Sequence, residues 1–487
     1  AYFYAYQIPA LVLVILGGVG GPFHSATVAV FSRIVKDFTT KPDENVKKLF
    51  NTFETFSIIL FLILTLICFF FPHQVMQLII NGDNPELLGY ASNLLKIMSP
   101  IILIGAVIGL YYGILVTYKR FLLPNISPSM LSVGVIIVLL ITKGDKTGFY
   151  LAVGTLFGAI LQFLLQAPVV RKIGYSFKPS FDFFKNKNFN EILELLFPAF
   201  LSSTIGQLGV YVDMFFSSNL KEGAWTAFGY ANRIFQFPVG LLLTAILVPL
   251  FPLFSRLVGQ KDIDGVRHYY KKGIGTLIYA GTFLMVCIFV VRTDAIRLAL
   301  QRGAFDYDAT ILVSDILFFI TLSIIPYVVR DSATRLFYSY GDSKTPFLIA
   351  IGCIILKIFL NLLLVKPMGI NGIALSTTLV TLFNASMLTI LLKRKISIGY
   401  KSLISNCFKI LVVSTITFLI GSFISDIYSK FIEWNFIMGL IKLLLVGIIM
   451  TISYFSLSHI LKIEYMEELI SKIKNKFNKK ANNNEIQ

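Results

Sequence analysis

The chain has 487 residues, 56% of them hydrophobic and only 14% charged, with a formal net charge of +17. A soluble domain carries about 25% charged residues, so composition excludes an ordinary soluble fold. The basic excess raises the question of nucleic acid, and the placement of the charges answers it below.

Apolar runs follow one another along the whole chain. Crossing roughly 30 Å of hydrocarbon takes about 20 apolar residues in a helix. Thirteen such segments are predicted, at about 2–32, 52–72, 92–117, 125–142, 148–170, 191–217, 224–254, 273–291, 310–338, 346–365, 369–392, 404–428 and 434–460. The fold class is therefore all-α and integral to a membrane.

The first segment carries Gln7 and His24, and the glycines 17, 18, 20 and 21 followed by Pro22 should bend or break it. His24 is a candidate cavity contact or proton carrier. In the third, Gly105, Gly109 and Gly113 recur every four residues, which lets helix backbones approach closely. The sixth carries Gln207, Tyr211 and Asp213; Asp213 reads as a cation ligand, a partner for an arginine, or an interfacial acid.

In the seventh segment Arg233 lies beside Tyr230, Asn232 and Gln236, about nine residues from the segment's start. A charge at that depth is costly and marks function or pairing. Arg suits a phosphate because its planar fork makes two parallel hydrogen bonds; the competing reading is an ion pair, for instance with Asp213.

Arg330, Asp331 and Arg335 cluster in the ninth segment, where Asp331 and Arg335 are spaced to form a structural ion pair along one face. Lys357 and Asn361 share a face of the tenth. Lys96 and Lys442 read as snorkelling to an interface. Cys68, Cys287, Cys353 and Cys407 lie in apolar runs with no redox or metal spacing, as inert thiols do. No firm metal site and no cofactor are expected.

Counting from residue 1 outside and alternating sides, basic groups gather on one side of the membrane. They include Arg33, Lys36, Lys47 and Lys48; Lys119 and Arg120; Arg171 and Lys172; Arg256, Arg267 and Lys271; and Lys393, Arg394 and Lys395. The segment 73–90, on the other side, has no Lys or Arg. Positive charge marks the inner side, so the excess orients the protein and meets anionic lipid; nucleic acid is not an expected partner. The C-terminus is expected in the cytoplasm, ending in a basic tail, 462–487, that holds Lys472, Lys474, Lys476, Lys479 and Lys480.

The chain also repeats itself. Tyr4 and Ala5 match Tyr230 and Ala231; Phe31–Val35 matches Phe254–Val258; Tyr118 and Pro124 match Tyr340 and Pro346; Ala152, Thr155 and Gln162 match Ala374, Thr377 and Asn384. The offset spans six helices, an even number, so the halves run parallel, and such transporters hold substrate between them near the midplane. The expected organisation is an N-terminal lobe at 1–190, a C-terminal lobe at 191–400, two additional helices at 401–461 and the tail. The helix at 191–217 has no counterpart ahead of Tyr4, so one helix of the N-terminal lobe is expected to be missing, the first of fourteen.

No phosphate-binding Gly-rich loop with Lys and Ser or Thr is present, nor a metalloprotease or hydrolase motif. No enzymatic activity is expected.

The stretch Tyr230 to Gly240, YANRIFQFPVG, resembles a signature of the MurJ/MviN family of lipid II flippases. Arg330, Asp331, Arg335 to Tyr338 and Gly341 to Pro346 are similar to a second, and Arg302 to Phe305 to a third. The likeness runs over most of residues 1–400.

The family belongs to the multidrug/oligosaccharidyl-lipid/polysaccharide exporter superfamily, with fourteen helices in two six-helix lobes plus two. The resemblance implies translocation of an undecaprenyl-diphosphate-linked peptidoglycan precursor to the outer face of the bacterial cytoplasmic membrane, in the service of the cell wall, by a monomer. It places Arg233 on the diphosphate, with Asn232, Gln236, Gln7 and His24 in the same cavity.

It also implies a sodium site in the second lobe, at Asp213, Asn361 and Thr377. There Lys357 stands where a sodium ligand is expected, its ammonium replacing the ion. The family's arginine pair after Ile-Pro-Asn is absent, since Ile8 and Pro9 are followed by Ala10 to Val14. The alternatives are a cation-coupled exporter of drugs or of another lipid-linked oligosaccharide, and a scaffold of envelope assembly that transports nothing.

Overall fold

The computed structural model describes residues 1–17, 22–35, 41–81, 84–142, 147–183, 187–396, 401–467 and 471. The statements below concern these residues. The basic tail beyond 471 lies outside them, as does the side chain of His24.

The regular elements of the described chain are all helices. Its elements are α1 (Tyr2–Gly17), α2 (Pro22–Ile34), α3 (Glu44–Phe70), α4 (Pro72–Gln77), α5 (Pro85–Met98), α6 (Pro100–Thr117), α7 (Leu122–Ile126), α8 (Ser129–Thr142), α9 (Phe149–Ile173) and α10 (Lys187–Ser217). They continue with α11 (Ala224–Gly259), α12 (Ile263–Leu300), α13 (Tyr307–Thr321), α14 (Ile324–Ser339), α15 (Lys344–Met368), α16 (Ile370–Lys395), α17 (Lys401–Phe431) and α18 (Phe436–Ile460).

Among the described residues nine helices are long and apolar enough to cross a membrane, and α13 with α14, bent by 45°, makes a tenth span. The described parts of the predicted segments are helix, and some segments are divided. The first holds α1 and α2, and the expected break at residues 18–21 lies outside the described residues; the third is divided at Ser99–Pro100, where proline lacks the N–H that would continue the helix. Exposed Ile59, Ile63, Ile67 and Phe70 on α3, and Leu348, Ile355, Phe359 and Leu362 on α15, form apolar faces that suit hydrocarbon rather than water.

Two compact units are formed, Ala1–Asn219 and Leu220–Gln487. The repeat places α10 at the head of the second lobe; by its contacts it packs in the first unit, on α2, α1 and α3.

The centre of the first unit is α6, where Ile101, Ile102, Ala106, Ile108, Leu110, Ile114 and Leu115 are fully or almost fully buried. It is surrounded by α1, α2, α3 and α9. Gly113 faces Thr27 of α2 so closely that a Cβ there would lie 2.7 Å from the threonine. The pair α8–α9 is tighter still, since a Cβ on Gly158 would lie 2.6 Å from the Leu131 Cα. The extended stretch 174–183 is strapped along α3: Asn51 Oδ1 accepts from the Lys178 N–H at 3.1 Å, Thr55 Oγ1 from the Ser180 N–H at 3.0 Å, and Lys48 pairs with Asp182.

In the second unit Phe254, Val266, Tyr270, Ile274, Leu336, Phe337, Leu388 and Leu392 form one apolar core. The helices α17 and α18, outside the repeat, join this core through Tyr454, whose hydroxyl donates to the Tyr279 carbonyl at 2.9 Å, and through Tyr465, which covers Gly275.

Candidate functional site

The polar face expected of the seventh segment is present on α11. Ala227, Phe228, Ala231, Phe235 and Val239 are buried against α13 and α14. With 3.6 residues per turn the opposite face then carries Arg233, with Gln236 beside it and Asn232 at the edge of the buried face. Arg233 and Gln236 are exposed and Asn232 is half-buried. Tyr230 sets its ring edge-on to Phe305, 5.9 Å between centroids, which ties the first signature to the third. Gln7 is half-buried on α1. By the match of Tyr4 and Ala5 to Tyr230 and Ala231, it holds in the first unit the register position that Arg233 holds in the second. The first unit thus presents an amide where the second presents a guanidinium.

The second cluster lies between α15 and α16. Lys357 is 7% exposed, and its Nζ donates to Thr377 Oγ1 at 2.9 Å. Asn361, one turn along the same face, is fully buried and accepts from the Ser376 hydroxyl. Three of the four residues expected at the cation site, Lys357, Asn361 and Thr377, are therefore together, with Ser376 as a member that sequence reading missed. The fourth, Asp213, is buried on α10 in the first unit.

On α14, Arg335 Nε and Asp331 Oδ2 approach to 3.3 Å, the expected i,i+4 pair. Arg330 instead lies over the ring of Tyr327, 4.1 Å from its centroid, a cation–π contact. The turn that follows is clamped by Asp342. Its carboxylate accepts from the Thr345 N–H at 3.0 Å and from the Thr345 hydroxyl at 2.9 Å, and pairs with Lys395 at the end of α16. Lys395 first, and then the Thr345 N–H, hold the Asp342 carboxyl down at about 2.

One basic residue departs from expectation. Lys442 does not snorkel: it is 7% exposed and pairs with Asp294 of α12 at 2.6 Å, while also donating to Ser429 of α17 at 2.8 Å. This pair borders a cavity of about 410 Å³ lined also by Arg297, Tyr307, Asp426 and Trp434, with Arg297 stacked 3.7 Å from the indole centroid. Lys96 lies over Phe69, 5.0 Å from its centroid. The four cysteines are free thiols.

Comparison with known proteins gives a consistent result. The family model described as "Lipid II flippase MurJ" matches residues 1–447. A probable lipid II flippase MurJ of Synechocystis sp. is 32% identical over 411 residues, covering 82% of this chain and 75% of that protein. One from Borreliella burgdorferi is 26% identical over 357 residues, covering 72% and 70%.

Among solved structures, a lipid II flippase MurJ in an inward closed conformation aligns with a TM-score of 0.78 at 24% identity, covering 96% of this chain and 92% of that one. An inward-facing multidrug resistance MATE family transporter of the MOP superfamily aligns at 0.56 and 15% identity, covering 81% and 98%. At these identities the structural likenesses speak to the fold.

Proposed function

This chain belongs to the lipid II flippase MurJ family, and we propose from that premise that it carries lipid II, the undecaprenyl-diphosphate-linked peptidoglycan precursor, from the inner to the outer face of the bacterial cytoplasmic membrane. The observation that carries this reading is the match to the family over residues 1–447, on a multi-pass apolar helical scaffold. The chain is a transporter by family, and transport alone is assigned to it.

The mechanism follows from charge and solvation. A diphosphate headgroup is too polar for hydrocarbon and needs a polar lining while its lipid tail stays in the bilayer. We assign that lining to Arg233, Asn232 and Gln236 on α11 and to Gln7 on α1, with His24 as a further contact. Arg233 supplies a bidentate donor pair to phosphate oxygens, and the amides add neutral donors. Alternating access of two parallel lobes then exposes the headgroup to each side in turn. The inside-negative potential favours outward movement of an anion, by about 2.3 kcal/mol per charge at 100 mV.

The buried Lys357 ammonium, held by Thr377 beside Asn361, supports the reading of a cation built into the chain where relatives would take sodium. The protein works as a monomer, with anionic lipid at its basic face and the C-terminus in the cytoplasm.

The test is a flipping assay with labelled lipid II in proteoliposomes. A hydrogen bond to a charged group contributes about 1.5–3 kcal/mol, so Arg233→Ala should slow transport roughly ten- to hundredfold. Unchanged flipping in the mutant would remove the diphosphate role of Arg233. Transport of a cationic drug but not of lipid II would overturn the substrate.

A further inference from the structure

The first unit contains a buried acid that the transport chemistry above does not use. Glu54 lies on α3, ten residues from the first helical residue, and is 2% exposed. Its Oε1 accepts from the Tyr111 hydroxyl of α6 at 3.0 Å. Its Oε2 is buried and, among the described residues, has no hydrogen-bond partner. A carboxylate has about four acceptor sites to fill and no donor of its own; one phenol leaves a full charge almost unsolvated, a state that a buried acid escapes by binding a proton.

The groups around it do not supply the missing charge. The elements packed against α3 are α4, α5, α6 and α10, with Phe23 of α2 stacked on Phe53 at 5.3 Å. His73 is on α4, and on α5 Lys96 lies over Phe69 near the far end of α3. On α10 Glu191 is paired with Arg33, and Glu194 is exposed. In the strap Asp182 is paired with Lys48, while Lys178 is exposed. The cation whose field reaches Glu54 is Arg171, at the exposed end of α9, without a direct bond.

Acceptors are instead in surplus. On α9, packed against α6, Gln162 Oε1 and Gln166 Oε1 are buried without a donor, and Phe163 lies against the Tyr111 ring at 5.9 Å. A protonated Glu54 would add an O–H donor to this interior.

The second unit provides an internal control. The buried residues Val46, Phe50, Phe53, Glu54 and Ser57 of α3 superimpose in spacing on Val266, Tyr270, Gly273, Ile274 and Leu277 of α12. In that register, shifted by two to three residues from the repeat pairs on either side, Ile274 stands in the place of Glu54, inside an apolar core. The architecture builds this helix with a hydrocarbon side chain at that position, so packing does not require the acid.

We propose that Glu54 is a proton-binding site within the membrane span of the first unit, and that its occupancy sets the rate of flipping. Release transfers the proton from the carboxyl O–H to water, leaving a carboxylate on Tyr111; rebinding restores the neutral acid. The rate clause rests on the flippase reading, whereas the site itself does not.

Infrared spectroscopy of the full chain in vesicles tests the site without any substrate. At neutral pH the wild type should show the carbonyl stretch of a protonated carboxyl, absent in Glu54→Gln, which keeps an acceptor for Tyr111. Tyr111→Phe, which keeps the ring, should move that band. No such band, or its persistence in Glu54→Gln, overturns the proposal.

Flipping of labelled lipid II across the neutral pH range should change several-fold for the wild type and flatten in Glu54→Gln. Superimposable profiles overturn the rate clause. Failure of the wild type to flip lipid II at all would strike the function proposed above, and the infrared result would still decide the site.

Discussion

The proposal that Lys357 replaces a diffusible ion makes predictions at the scale of one side chain. Its ammonium is desolvated and held by Thr377, with Asn361 and Ser376 alongside. Two outcomes follow. Wild-type thermal stability should be insensitive to sodium, and Lys357→Ala should lose about 1–3 kcal/mol by leaving that hydrogen-bonded group unmatched. Sodium should restore part of that loss in the variant alone, as scanning calorimetry in sodium and in choline buffers would read. A sodium-stabilised wild type would contradict the assignment.

Sequence reading singled out Lys357 and Asn361 by their spacing, and Asn361, Thr377 and Asp213 by the family resemblance; of these, Asp213 lies apart on α10. It overlooked Glu54, because an acid ten residues into a helix that opens on Glu44, Lys47 and Lys48 reads as part of a wet end. Only packing by α6 and the strap shows that the helix is already covered there.

Among elements, two joints carry distinct expectations. The Asp342 clamp ties the turn before α15 to the end of α16. Its carboxyl is held down to about 2 against an ordinary 3.8. A depressed folded value stabilises fully above the unfolded value and loses that contribution as pH falls through the folded one. Amide exchange at 341–345 should therefore stay slow down to about pH 4 and speed up, relative to the rest of α15, between about pH 4 and 2. Asp342→Asn should abolish that differential.

The second joint is α8 on α9. Gly158→Ala places a methyl against the backbone of Leu131 and should cost about 1–3 kcal/mol, the range for overpacking; an unchanged melting temperature would show that the helices can part. The periodic glycines of α6 were legible in the sequence as packing, whereas the α8–α9 contact was not. Gly134, Gly154 and Gly158 sit on two different helices, and no spacing within one helix reveals a meeting between two. The breaks at Ser99 and between α13 and α14 were equally hidden, since each predicted segment reads as one apolar run.

For the whole molecule, composition was enough to state the class, and three short signatures to state the family. Partners distant in sequence were beyond that reading. Lys442 and Asp294 are 148 residues apart, and their pairing emerges only when α18 is laid on α12. Breaking one side of such a pair leaves a bare charge in a dry place and costs about 3–5 kcal/mol, while replacing both with apolar groups can be neutral. Lys442→Met alone should thus destabilise strongly, and Lys442→Met with Asp294→Leu should recover most of the loss; equal losses in both would mean that the pair is merely peripheral.

The same two contacts have a mechanical meaning. The Lys442–Asp294 pair and the Tyr454 hydroxyl on Tyr279 grip α18 at two levels, about three helical turns apart. A rod pinned twice to one beam can neither swivel nor slide along it. Whatever α12 does, α18 must accompany it, and α17, packed on both, travels with them as one wall.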